Sequence, residues 1–487
     1  MRILLIHPPA TIHRRFLAQA EPFPLGLASV AASCRARGHA VGILDAHIEG
    51  FSNRRREGQY VHVGLSQDAI ARRIQAFAPD LIGISCPFTV QFHNAVDVAR
   101  TARRVAPQAL LVGGGAHVTA LPQTFEPGTV DLLVRGEGEL AFADLADHSP
   151  HGNGAALPRG VLRCGEAVES SPELADPPDL ESLPGPAYDL LALPLYWRKR
   201  RYAKVVTTRG CPFTCSFCSV HVTLGREVRK RSIDAVVEEL CRLRRTYGVE
   251  EVDLEDDNLT AHMAWAKELF ERIAQASPGI RLFLRDGVRA DRVDRELLQL
   301  MKCAGVVGVT FAPESGCQEV LDEVIGKRMR LEQVEQAVRL ACDVGLDVTC
   351  FLVIGFPRES LQQVHRTIAY GHRLRRLGAN RIWMSCAAPH PGTALWEECR
   401  ERGLVSEDMD LRLVRDPPAI IRTGTFTPEE IGRLRDRAMR AYHPSRARTF
   451  LTNGLRTAVT DPGRFARRVG QMLRPWRPEP IGPMDSR

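Results

Sequence analysis

The chain predicts an α/β protein built as a doubly wound parallel sheet over residues 1–148, then a partial (β/α)6 barrel over 201–400. Three observations predict it. Short β-branched runs alternate with amphipathic stretches through the first unit, the pattern of a parallel sheet covered on both faces. Pro158, Pro172, Pro177, Pro178, Pro184, Pro186 and Pro194 then break the rhythm, marking residues 149–200 as a connector that straps one unit to the next. After residue 200 the strand-and-helix beat resumes six times, and a basic helical region, 401–487, follows as a small cap.

At 487 residues, 44% hydrophobic and 25% charged, the chain has the composition of an ordinary globular protein with a sizeable core. Its thirteen cysteines are odd in number and scattered, which excludes a secreted disulfide framework and fits a reducing cytoplasm. The start MRILLIHPPA is too short an apolar run for a signal peptide, and no stretch approaches the ~20 apolar residues of a membrane span. A net charge of +7 permits an anionic partner without requiring one.

In the first unit, strands are predicted at Arg2 to Ile6, Ala40 to Leu44, Leu81 to Ser85, Leu110 to Val112 and Asp131 to Val134. Helices fall at Leu25 to Arg37, Gln67 to Phe77 and Asn94 to Val105. Ligands of such sheets bind outside the carboxyl ends of the strands. Those ends carry Pro8 and Pro9, then Ser85 to Phe88, then Gly113, Gly114 and Gly115, where a bare backbone can approach a bulky ligand closely. Val161 to Glu169, in the connector, reads as a small hairpin.

The barrel begins with a strand at Ala203 to Thr208, followed by a helix behind the N-cap Ser232. Further strands are predicted at Glu251 to Glu255, Arg281 to Leu284, Val306 to Phe311, Val348 to Ile354 and Ile382 to Ser385. Their carboxyl ends, where barrel chemistry sits, read Glu255-Asp256-Asp257-Asn258, Arg289 with Asp291, Glu314-Ser315, Gly355-Phe356-Pro357 and His390-Pro391-Gly392. Acidic residues here could hold an ammonium group, and an arginine is the natural bidentate partner of a carboxylate.

The first barrel strand leads into TTRGCPFTCSFCSVH, with Cys211, Cys215 and Cys218 at C-x-x-x-C-x-x-C spacing. Three thiolates on one loop can hold an iron–sulfur cluster and leave one iron open to a substrate or cofactor. With His221 they could instead close a structural zinc site, and a disulfide is a further alternative.

In every fixed position the loop resembles the radical S-adenosylmethionine (SAM) signature C-x-x-x-C-x-aromatic-C. The first unit, with its Pro24-Leu25-Gly26-Leu27 and Gly136-Glu137-Gly138-Glu139 stretches, looks like the cobalamin-binding domain that precedes the radical SAM barrel in one large family. The resemblance implies a 4Fe-4S cluster on Cys211, Cys215 and Cys218, with SAM near Asp256, Asp257, Arg289, Glu314, Ser315 and Gly355. It also implies cobalamin against Ser85, Gly113, Gly114 and Gly115. Asp45-Ala46-His47-Ile48-Glu49-Gly50 fits the D-x-H-x-x-G motif of methionine-synthase-like domains, in which the histidine binds cobalt. Here it follows the second strand rather than the first, and His13 is a competing candidate.

The activity so implied is reductive cleavage of SAM to a 5'-deoxyadenosyl radical, followed by methylation of an unactivated carbon of a small molecule. A flavodoxin or ferredoxin would supply the electrons. Radical cyclases resemble the same two domains, and a cobalamin-sensing or RNA-binding regulator is a reading from another class. Few aromatics interleave the C-terminal arginines, Arg433 to Arg477, so no nucleic-acid partner is expected and the run reads as a solvated cap.

Overall fold

A computed structural model describes residues 1–14, 23–148, 157–168, 173–197, 200–414 and 418–443. The chain divides into a large compact unit, Met1–Arg435, and a small one, Asp436–Arg487. Of the small unit, residues 436–443 are described and are helical to Tyr442; the arginines from Arg446 onward lie outside the described residues.

The N-terminal strands are β1 (Arg2–His7), β2 (Ala10–His13), β3 (Ala40–Asp45), β4 (Arg54–Glu57), β5 (Tyr60–Val63), β6 (Leu81–Ser85), β7 (Leu110–Gly114), β8 (Leu132–Val134) and β9 (Val161–Arg163). A six-stranded sheet runs β3-β1-β6-β7-β8-β9, parallel as far as β8 and closed at the edge by antiparallel β9. Side chains alternate across a strand, so each strand feeds two cores. Leu4, Ile6, Ile82, Ile84 and Leu111 pack on one face, and Ile3, Leu5, Leu81, Leu110 and Val112 on the other. The order reverses at β1, whose neighbours are β3 and β6. That reversal opens a crevice at the carboxyl ends of β1 and β6.

Two features depart from the sequence reading. A three-stranded antiparallel sheet, β2-β5-β4, sits beside the first sheet; β4 reads RRRE, entirely exposed, and carries no apolar alternation. Val161–Arg163 does not turn back on itself as a hairpin but pairs with β8. The proline-rich connector is anchored by buried tyrosines. The Tyr188 hydroxyl lies 2.7 Å from Lys204 O and 2.6 Å from Glu239 Oε1, able to donate to either, and Tyr196 donates to Asp45 Oδ2.

The second half contains β10 (Tyr202–Val205), β11 (Thr208–Arg209), β12 (Arg229–Lys230), β13 (Glu251–Leu254), β14 (Arg281–Val288), β15 (Val306–Glu314), β16 (Asp347–Ile354) and β17 (Arg381–Cys386). Six of them form one all-parallel sheet in chain order, β10-β13-β14-β15-β16-β17, with β10 and β17 at its edges. Along β16, Val348, Cys350, Leu352 and Ile354 are fully buried, whereas Phe351 and Val353 face the barrel interior. The strand expected at Ala203 to Thr208 is split. β10 ends at Val205, and β11 forms a two-residue antiparallel ribbon with β12, which carries the chain into the cysteine loop.

Candidate functional site

The cysteine loop is pinned on three sides. Asp256 Oδ1, after β13, accepts from Thr207 N at 3.0 Å, Thr207 Oγ1 at 2.7 Å, Thr208 Oγ1 at 2.8 Å and Thr208 N. Asp257 Oδ2 accepts from Gly210 N at 2.9 Å. Ser216 N donates to Ile325 O at 2.8 Å, and Leu395 N to Ser216 O at 2.9 Å. Phe217 packs against Phe356 with ring centroids 5.8 Å apart.

The ribbon is held from the other domain. Arg209, two residues before Cys211, donates to Glu137 Oε2 at 2.6 Å and Glu139 Oε1 at 2.7 Å, and Arg229 also grips Glu137. All four side chains are largely buried. Burial works against the Arg209 charge, but the Glu139 and Glu137 carboxylates outweigh it and hold its pKa above the usual guanidinium value. The Gly136–Glu139 turn therefore clamps the approach to the cysteines.

Cys211, Cys215 and Cys218 are free thiols that line one cavity of about 530 Å³ inside the barrel. Among the described residues no three His, Cys, Asp or Glu side chains already stand close enough together to hold an ion. Burial pushes the Cys215 thiol up and the Cys218 thiol to about 11, so ligation would release their protons. His221 does not line this cavity, so it is not placed as the fourth ligand a closed zinc site needs.

The other barrel residues divide. Asp256, Asp257, Arg289 and Glu314 line the cysteine cavity. Arg289 lies over the Phe213 ring at 3.6 Å and is held by Asp291 in a fork of 2.9 and 3.0 Å. Glu314 takes Lys327 Nζ at 2.8 Å. Burial pushes the Asp256 carboxyl up to about 6 despite its donors, and its Oδ2 has no partner among the described residues. Ser315 turns away: its hydroxyl pairs with Thr367 Oγ1 at 3.0 Å and accepts from Cys317 N at 3.1 Å. Gly355 also lies off the cavity, packed so tightly that a Cβ would sit 2.9 Å from Ile431 Cγ2.

Two further cavities, of about 460 and 790 Å³, open at the carboxyl ends of β1 and β6 and share His7, Ser85, Pro87, Phe88 and Lys204. Ser85 lines both, and Gly114 and Gly115 line the smaller. Gly113 lies within β7, facing Leu133, and does not reach either. Phe88 is 54% exposed there, an apolar ring presented to the opening. His47 is buried instead beneath the sheet end, its Nδ1 3.3 Å from Val63 O, and lines neither cavity. His13 lines neither cavity as well.

Two residues of the strand-end stretches read from the sequence border more than one of these spaces. Glu255 lines both the cysteine cavity and the smaller strand-end cavity, and His390 lines the cysteine cavity and the larger one. Burial lowers the His390 pKa, which keeps its ring neutral. The cavity that holds the cysteines and carboxylates thus adjoins the glycine-edged crevice through shared lining residues.

Comparison with known proteins bears on both halves. The B12 binding domain matches residues 17–146 and the Radical SAM superfamily residues 205–371. Cytidylyl-2-hydroxyethylphosphonate methyltransferase of Streptomyces wedmorensis is 30% identical over 92% of this chain and 91% of its own length. An uncharacterized methyltransferase of Pyrococcus horikoshii is 31% identical, over 91% and 92%. An anaerobic magnesium-protoporphyrin IX monomethyl ester cyclase of Rubrivivax gelatinosus is 28% identical over 75% of this chain and 65% of its own. In fold, the chain matches the radical SAM methyltransferase TsrM of Kitasatospora setae, solved with cobalamin and a [4Fe-4S] cluster. The TM-score is 0.66, at 20% identity over 89% of this chain and 85% of that one. The chain belongs to the cobalamin-dependent radical SAM enzymes, the family of methyltransferases and related cyclases that work with a [4Fe-4S] cluster, SAM and cobalamin.

Proposed function

We propose that the protein methylates an unactivated carbon of a small molecule held between the two domains. The observation that carries this reading is the adjoining of these cavities, with three cysteines lining one and the carboxyl ends of β1 and β6 the others. Agreement in kind with two methyltransferases over more than nine-tenths of the chain supports it.

When bound, the cluster and SAM would supply the radical that takes hydrogen from the substrate, and cobalamin the methyl group. The chain's own part is placement. Cys211, Cys215 and Cys218 would hold the cluster, while Asp256 and Asp257 fix their loop. Arg289, locked over Phe213 by Asp291, presents a guanidinium for the SAM carboxylate, and Asp256 Oδ2 remains unpartnered for a donor such as the SAM ammonium. Lys327 neutralises Glu314 beside them. Ser85, Gly114, Gly115 and Phe88 offer the corrin a close backbone and an apolar ring. Electrons would come from a flavodoxin or ferredoxin of the cytoplasm; no helix among the described residues is long and apolar enough to cross a membrane.

The test is methyl-labelled SAM with the reduced, reconstituted enzyme, the cytidylyl phosphonate of the S. wedmorensis relative being the first substrate to assay. Label in the product is expected. Deoxyadenosine formed together with unlabelled, altered substrate would favour the cyclase reading that the R. gelatinosus relative supports. Cys215→Ala should abolish the cluster absorbance and SAM cleavage together; retained absorbance would overturn the ligand assignment.

A further inference from the structure

The D-x-H motif directs attention to His47, but the aspartate of that motif serves a different histidine. Asp45 Oδ1 lies 3.0 Å from His7 Nδ1. The same carboxylate accepts from Ile48 N at 3.2 Å and from the Tyr196 hydroxyl of the connector.

We propose that His7 is an axial nitrogen ligand of the cobalamin cobalt, set in place by Asp45 and Tyr196. The assignment rests on the strand-end cavities holding the corrin. His7 is the last residue of β1, at the point where the strand order reverses, and it lines both cavities. With Nδ1 given to Asp45, Nε2 is the ring nitrogen left over, and no described residue partners it. A histidine that gives one ring N–H to a buried carboxylate and borders a cavity with its other nitrogen unpartnered has the outer-shell arrangement of metal-ligating histidines.

The other histidines near these cavities lack it. His117 lines the larger cavity, but both ring nitrogens are engaged, by Thr89 Oγ1 at 3.2 Å and Thr124 Oγ1 at 2.8 Å. His62 is taken up by Thr11 and Glu57 at 2.9 Å each. His390 belongs to the barrel wall opposite. The bond proposed is donation of the Nε2 pair to cobalt, with no change of oxidation state; any proton on Nε2 leaves to solvent.

The experiment uses the full chain loaded with cob(II)inamide, a corrin without a nitrogenous base of its own, and electron paramagnetic resonance. One axial nitrogen splits each cobalt line into three. Protein labelled with ¹⁵N only at histidine should show two lines in place of three. His7→Gln should keep the corrin, seen by absorbance, and lose the splitting; His117→Gln and His390→Gln should keep both. Unsplit lines from corrin-loaded wild type, or splitting that survives in His7→Gln or disappears in either other variant, would overturn the proposal. A wild-type chain that retains no corrin would overturn the cavity assignment itself, a separate and visible failure. Should His7→Gln not fold, the labelled wild type and the two other variants still decide.

Discussion

Glu359 sits behind the turn that follows β16, where its Oε2 accepts from the N–H groups of Gly355 at 2.7 Å and Phe356 at 3.2 Å. Its Oε1 has no partner among the described residues, and burial pushes the carboxyl up to about 7 against the two donors. A folded pKa above the ordinary 4.5 means the native state holds the proton more tightly than the unfolded one. The stability from that proton is complete below pH 4.5 and lost as pH rises through 7. Glu359→Gln keeps the shape and cannot ionise. Relative to wild type it should gain about 3 kcal/mol between pH 4.5 and pH 8, read as the difference in urea unfolding free energy. A difference that does not change with pH would refute the assignment. At this scale the sequence was most legible where chemistry is local. The cysteine spacing needs no tertiary knowledge, whereas the direction of Ser315, or the choice between His47 and His7, depends on which way a turn faces. Asp45 shows the limit: the motif located an important carboxylate but could not say which histidine it serves.

The end of β7 and the turn after it carry two glycines with opposite demands. Gly115 has φ +109, and a Cβ there would sit 2.8 Å from the Cys86 carbonyl oxygen, a backbone atom that cannot step aside. Gly114 has no such constraint; a Cβ would meet only Val134 atoms, at 3.9 Å. Gly115→Ala should therefore destabilise the protein by about 1–3 kcal/mol, and Gly114→Ala by about 0.5 kcal/mol or less, measured by urea midpoint. Equal losses would mean the turn, not Gly115, is the sensitive feature. The glycine run was visible in the sequence, and so were most strands and helices, because apolar period reports burial face by face. The ribbon β11–β12 and the all-charged β4 were not visible: two residues have no period, and RRRE becomes a strand through its pairing with β5.

Across the whole molecule, the two sheets meet through charges far apart in sequence. Glu137 comes from the turn after β8 and Glu139 from the start of the helix Gly138–His148 that follows, Arg209 and Arg229 from the ribbon before and after the cysteine loop. No local pattern could have paired residues some seventy to ninety positions apart, and the turn reads on its own as one more glycine-rich strand end. Once paired and buried, the four charges depend on one another, since removing one partner leaves the rest without compensation. Glu137→Gln leaves two buried guanidinium groups with Glu139 alone, at a cost of about 3–5 kcal/mol. The urea midpoint should fall with the slope unchanged. Because Arg209 stands two residues before Cys211, iron retained per chain after gel filtration should fall in the same variant. Arg229→Gln should also destabilise, but the double variant should cost less than the sum of the singles by at least about 0.5 kcal/mol, because each charge removed relieves the other. Additive losses would mean that Glu137 and Arg229 act independently, and unchanged iron content would mean that the first domain does not hold the cysteine loop in place.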